Sequence, residues 1–158
     1  MSYQSGLPIR FKGVSFVTAT LGGGAPQLGQ ETFDADGNKY VFVYNDCNSQ
    51  ILPTYGVAPQ SGVSTPFSVT VSTVTSADIL VGVVKHATIP AASYGWVLTR
   101  GVTQVEMLAT VATNAPLEIG ADGLFAPVSN TTGNGPTIGK SLAEIVTNAS
   151  GSAFIRAY

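Results

Sequence analysis

With 158 residues the chain can hold one full core or two small subdomains, and with 10% charged residues it carries well under the roughly 25% usual for soluble domains. Its 44% apolar share is ordinary, so Thr, Ser, Gly, Ala and Asn replace the missing charge, and such a surface suits permanent assembly more than free diffusion. A net charge of −2, with seven basic residues dispersed along the sequence, offers no stripe for a run of phosphates and excludes nucleic acid from the expected partners.

Residues 1–13 are polar, contain Gly6, Pro8, Gly13 and the basic pair Arg10 and Lys12, and read as an extended N-terminal arm. Val14 to Thr20 is a β-branched strand candidate, closed by Leu21-Gly22-Gly23-Gly24-Ala25-Pro26, which no regular element tolerates. Glu31-Thr32-Phe33 and Tyr40-Val41-Phe42-Val43-Tyr44 flank Asp34-Ala35-Asp36-Gly37-Asn38, a hairpin signal. Tyr40, Phe42 and Tyr44 share one face of the second strand and Val41 and Val43 the other, so both faces are expected to be covered. Residues 45–66 form a long connection rich in Pro and Gly, after which Phe67 to Thr73 alternates as a half-buried strand does. Ile79–Val84, Gly95–Thr99, Val102–Leu108, Leu117–Ile119, Leu124–Ala126, Thr137–Ile145 and Ala153–Tyr158 complete about ten short strands. Ser141-Leu142-Ala143-Glu144 fits a helix-starting capping box, but the β-branched run behind it ends too soon, and the strand reading is preferred. The expectation is an all-β fold: a compact sandwich or barrel over 14–158 as one domain, preceded by the arm.

The chain also echoes itself. Val81-Gly82-Val83-Val84, ending in Ala92-Ser93-Tyr94-Gly95-Trp96-Val97-Leu98, returns as Ile138-Gly139-Lys140-Ser141, ending in Ala149-Ser150-Gly151-Ser152-Ala153-Phe154-Ile155. The spacing is constant and gapless (139 − 82 = 57; 155 − 98 = 57). Val81/Ile138, Ile89/Val146, Val97/Phe154 and Leu98/Ile155 keep their apolar character. Two similar hairpin units, about 79–101 and 136–158, are expected. Repeating a scaffold without adding reactive groups builds a surface rather than a catalytic pocket.

The chemical motifs are better explained without chemistry. Asn134-Gly135-Pro136-Thr137-Ile138-Gly139-Lys140-Ser141 departs from a phosphate-binding loop at Asn134 and leads into a strand, not a helix. Asp34, Asp36 and Asn38 alternate like the start of an EF-hand, yet Gly37 is misplaced and no bidentate Glu follows, so a turn accounts for them. Cys47 is the sole cysteine and His86 the sole histidine; neither lies in a nucleophile-like setting, so no catalytic residue is assigned, and no metal or cofactor is expected. Tyr40, Phe42, Tyr44, Tyr94 and Trp96 could form a sugar-stacking platform, but strand aromatics more often serve a core or interface. Tyr40, Phe42, Tyr44, Trp96, Val97 and Leu98 are accordingly assigned to the core or to a subunit interface. The first residues lack a signal-peptide segment, and the run Ile79–Val84 is far too short for a bilayer, so synthesis in a cytoplasm and no membrane partner are expected.

These residues carry a resemblance. Asp36-Gly37-Asn38-Lys39-Tyr40-Val41-Phe42-Val43-Tyr44-Asn45 looks like the early hairpin of the head-decoration (cement, capsid-stabilising) proteins of tailed bacteriophages. Ile79-Leu80-Val81-Gly82-Val83-Val84 with Ala92-Ser93-Tyr94-Gly95-Trp96-Val97-Leu98-Thr99-Arg100-Gly101 is similar to their central unit. Ala121-Asp122-Gly123, Ile138-Gly139-Lys140-Ser141-Leu142-Ala143-Glu144 and Ser152-Ala153-Phe154-Ile155-Arg156 resemble their closing unit, so the likeness spans roughly 31–158. It implies a non-enzymatic virion protein on the capsid exterior, a homotrimer bound to the major capsid protein. On that view the arm docks, with Arg10 and Lys12 pairing capsid carboxylates. A receptor- or carbohydrate-binding module of a phage fibre or cell surface is the alternative.

Overall fold

The structure, a computed structural model, describes residues 26–64, 67–71, 80–128 and 137–157. The arm with Arg10 and Lys12, and the strand expected at 14–20, lie outside the described residues.

Ten strands form one continuous sheet: β1 (Glu31–Phe33), β2 (Lys39–Asn45), β3 (Gly56–Pro59), β4 (Ser68–Val71), β5 (Gly82–Val83), β6 (Tyr94–Glu106), β7 (Pro116–Ile119), β8 (Phe125–Pro127), β9 (Gly139–Ser141) and β10 (Ser150–Arg156). A single 3-10 turn at Ala121–Gly123 is the only helical element among the described residues, so the fold is all-β as expected. Its order is β1-β2-β4-β3-β5-β6-β10-β9-β7-β8, and β2 also pairs with β6. That last pairing closes β2-β4-β3-β5-β6 into a five-stranded barrel with no free edge of its own.

The remaining strands repeat this connectivity. β6 pairs with β10, β10 with β9, β9 with β7 and β7 with β8, all antiparallel; a parallel bridge between Met107 and Phe125 closes the second ring. In the first ring the parallel contact is β2 with β4, Asn45 opposite Val69. Individual hydrogen bonds recur. Val81 N donates to Val57 O as Ile138 N does to Leu117 O, and Asp46 N donates to Val69 O as Leu108 N does to Phe125 O. The Ile51–Ile89 bridge has its counterpart in Val111–Ile145.

The match corrects the spacing read from sequence. Gly82 does correspond to Gly139 (139 − 82 = 57), since Val57 faces Gly82 as Leu117 faces Gly139. Beyond the turn the spacing drops by one (145 − 89 = 56), because Ile89 and Ile145 make the equivalent bridges. Val97 thus corresponds to Ala153 and Leu98 to Phe154. Val83 opposite Leu98 then matches Lys140 opposite Phe154. A one-residue shift moves every side chain to the other face of a strand, so apolar character alone could not register the copies.

Two other expectations change. The Pro/Gly connection at 45–66 contains β3, whose middle residues Val57 and Ala58 are buried. The separate strands expected at 95–99 and 102–108 are one 13-residue strand, β6. β6 serves both rings: its first half closes one and its second half opens the next. At the passage Tyr40 faces Leu98 while Lys39 faces Arg100, leaving Thr99 as a bulge, and Gly101 follows at φ 138°. The bulge and glycine bend the strand where a β-branched residue could not.

The core divides accordingly. Val41, Val43, Ile51, Val57, Val69, Val81, Ile89 and Val97 fill the first ring. Val105, Val111, Leu117, Phe125, Ile138, Ile145 and Ala153 fill the second, and Tyr40, Phe42, Trp96 and Leu98 extend that cluster across the first ring's outer side. Both faces of β2 are therefore covered, as its two apolar faces require.

Candidate functional site

The hairpin β1–β2 builds the most connected polar group. Asp34 Oδ1 accepts from the backbone N–H of Asp36 and of Asn38, each at 2.9 Å, so the Asp-Gly-Asn turn closes on its own carboxylate. Asp34 Oδ2 accepts from Asn38 Nδ2 at 2.8 Å and from the Tyr40 hydroxyl at 2.9 Å. His86 Nε2 stands 3.0 Å from the same hydroxyl. Tyr40 has one proton and gives it to the carboxylate, so His86 carries its proton on Nε2 and donates to the tyrosine oxygen. Burial pushes the Asp34 carboxyl up, but the hydrogen bonds from Asn38, Tyr40 and Asp36 outweigh it and hold it below its ordinary value. Burial, with the Asp34 bond and charge, pushes Tyr40 well up, and burial and the Lys85 charge push His86 down. The group is a turn lock. Every carboxylate lone pair it uses is committed to the fold.

Cys47 Sγ lies 2.8 Å from Thr70 Oγ1, and its backbone N–H donates to Asn45 Oδ1, so its contacts tie the connection to β4 and β2. Its neighbours and those of His86 are different sets. Ser141, the last residue of the phosphate-loop-like motif, is buried in β9 and donates to Ala112 O at 2.6 Å; the Asn134–Pro136 part of that motif lies outside the described residues. Among the described residues no group of three or more His, Cys, Asp or Glu could hold a metal ion.

Of the residues assigned to core or interface, Tyr40, Phe42, Trp96, Val97 and Leu98 are buried within the chain and Tyr44 is half-buried. Phe42 and Trp96 pack with ring centres 5.1 Å apart, and Tyr44 and Tyr94 at 4.9 Å. A flat aromatic platform open to solvent is not formed by Tyr40, Phe42 or Trp96.

The outer face of β6 and β10 was not marked by the sequence. Arg100 lies directly opposite Arg156, and Lys39 on β2 lies opposite Arg100, so three cations stand side by side on three neighbouring strands. Next along the same face come Val102 opposite Phe154, then Gln104 opposite Ser152, joined by a 2.9 Å hydrogen bond. Lys140 on β9 is opposite Phe154. A cleft of about 440 Å³ begins at the cations, floored by Val41, Val81, Pro59 and Phe67. The face is missed in the sequence because its residues come from distant segments, and its alternation of exposed and buried positions at 100–105 is not matched by an alternation of polar and apolar residue types.

No family model matches the chain, and no curated protein matches it. Among solved structures the chain is similar to the crystal structure of the head fiber gp8.5 N base in bacteriophage phi29, at 15% sequence identity and a TM-score of 0.53, over 73% of this chain and 93% of that chain. The likeness is one of fold.

Proposed function

We propose that the protein is a structural component of a tailed-phage virion, held on the outside of the head by contact with the major capsid protein and acting as a decoration protein rather than an enzyme. The observation that carries the reading is the fold shared with the base of a phage head fiber over nearly the whole of that base. The charge-poor surface agrees with it, since only 10% of residues would resist close apposition to a neighbour. Closed rings agree too: they leave few strand edges to recruit unwanted partners, while the short edge strand β1 stays open.

In this reading the protein acts as a homotrimer at a threefold or quasi-threefold position, so three weak capsid contacts act together through a high effective concentration. Arg10 and Lys12 in the N-terminal arm pair capsid carboxylates. Mass spectrometry of purified virions tests the reading: many copies per head are expected, and absence from virions sinks it. Deleting residues 2–12 is expected to lower occupancy on purified heads, and unchanged occupancy removes the arm from the account. The half-buried Tyr44–Tyr94 pair is the observation favouring a carbohydrate-binding module of a fibre or cell surface instead. Sugar selectivity on a glycan array would establish that alternative.

A further inference from the structure

The basic residues of the described segments, scattered along the chain, converge when it folds. Of seven Lys and Arg, the five within the described residues all border the outer face of β6 and β10. Lys39, Arg100 and Arg156 form the row across β2, β6 and β10. Lys85 borders the far end beside Gln104 and Ser152, and Lys140 stands opposite Phe154. Two carboxylates border the same clefts, Glu31 and Asp36, and Glu31 is taken by a 2.7 Å ion pair with Lys39. A face with excess positive charge thus sits on a chain whose net charge is −2. Like charges directly opposite one another destabilise a sheet, so the Arg100–Arg156 pair is unfavourable to the isolated fold.

Apolar side chains are exposed between the cations. Phe33 is 56% exposed, Val102 45% and Phe154 37%, and all three line one cleft with Lys39 and Arg100. That cleft shares Lys39 and Arg100 with the apolar-floored cleft on one side and Val102 with the Lys85–Ser152 cleft on the other. The three adjoin one another through these residues.

We propose that this face binds an extended, acidic segment of another protein, one whose carboxylates and apolar side chains match the grid of cations and exposed apolar residues. Carboxylates fit the row because guanidinium groups take them in bidentate hydrogen bonds. Apolar residues fit the gaps, since Phe33, Val102 and Phe154 leave water only if covered by apolar groups. Nucleic acid fits less well, because its phosphates would meet apolar side chains along part of the track and a negatively charged molecule overall. The assignment does not depend on the virion reading, and its test uses no capsid.

The probe is a fluorescein-labelled peptide alternating Glu and Val, with Lys–Val and Gln–Val versions as controls, followed by fluorescence anisotropy with the full chain. Wild type is expected to bind the Glu–Val peptide about tenfold or more tightly than either control, with affinity falling at about 0.5 M salt. Arg100→Gln with Arg156→Gln is expected to weaken binding about tenfold while the melting temperature holds or rises, since the repulsion is gone. Val102→Ser with Phe154→Ser is expected to weaken it as well. Equal binding of the three peptides, or wild-type affinity in the arginine double variant, overturns the proposal. So does displacement of the peptide by oligothymidylate or inorganic phosphate at comparable concentration, which would make the face a general anion site.

Discussion

Gly151 on β10 lies against the side chain of Ile145, close enough that a Cβ there would stand 2.7 Å from Ile145 Cδ1. Gly95 and Ile89 repeat the relationship in the first ring, with a Cβ 2.6 Å from Ile89 Cδ1. Both isoleucines are buried and bridge to the long connection of their own ring. In each ring, therefore, a buried isoleucine is laid over a glycine.

Gly95→Ala and Gly151→Ala are each expected to cost about 1–3 kcal/mol through overpacking. Ile89→Val and Ile145→Val should recover part of the loss in their own ring and none in the other. Urea denaturation of the single and double variants measures the coupling, and additive losses within a ring would contradict the contact.

Two neighbouring residues of β10 differ sharply in burial. Ile155 is fully buried and Phe154 is 37% exposed. Ile155→Ser is expected to cost about 2–5 kcal/mol. Phe154→Ser should stay within about 0.5–1 kcal/mol of wild type. The reverse order in thermal melts would contradict the burial of these two side chains.

At Gly101, φ of 138° disfavours any side chain, and Asn38 Oδ1 occupies the space a Cβ would need. That oxygen accepts from Val102 N at 3.2 Å. Gly101→Ala should therefore cost about 1–3 kcal/mol and loosen the hairpin turn together with the strand bend. Hydrogen exchange should show both regions opening together.

Acid should weaken the turn lock in two steps. His86 has its folded value lowered, so as pH falls through about 6.5 the unfolded chain takes up a proton first and stability declines until the folded group also protonates. Asp34 is likewise lowered, so its contribution is present above the ordinary carboxylate range and lost as pH falls through its folded value. His86→Gln should flatten the first decline and Asp34→Asn the second, read from melting temperatures between pH 7 and pH 3 on the scale of those groups' titrations.

Val97→Asp places a carboxylate in the fully buried interior of the first ring and should prevent folding outright. A soluble variant with wild-type near-UV circular dichroism would contradict the barrel core.

Local pattern was enough for much of this architecture. A continuous apolar run at 40–44 and alternation at 67–71 imply strands, and two apolar faces on one strand imply cover on both sides, because side-chain direction follows from the backbone alone. The Asp-Gly-Asn turn was legible because it depends on residues close in sequence, and the recurrence of Gly82 as Gly139 because each copy keeps its own local pattern. What folding alone decided involves partners far apart in the chain. β3 sits in a Pro/Gly stretch whose strand character comes from its neighbours β4 and β5, not from its own residues. The closure of each ring depends on pairings such as Asn45 with Val69 and Met107 with Phe125. The meeting of Lys39, Arg100 and Arg156 likewise arises from register between three strands. Composition determined that the chain is sparing with charge; the sheet determined that the five Lys and Arg of the described residues border one face, because cross-strand register is a property of pairs and no single segment encodes it.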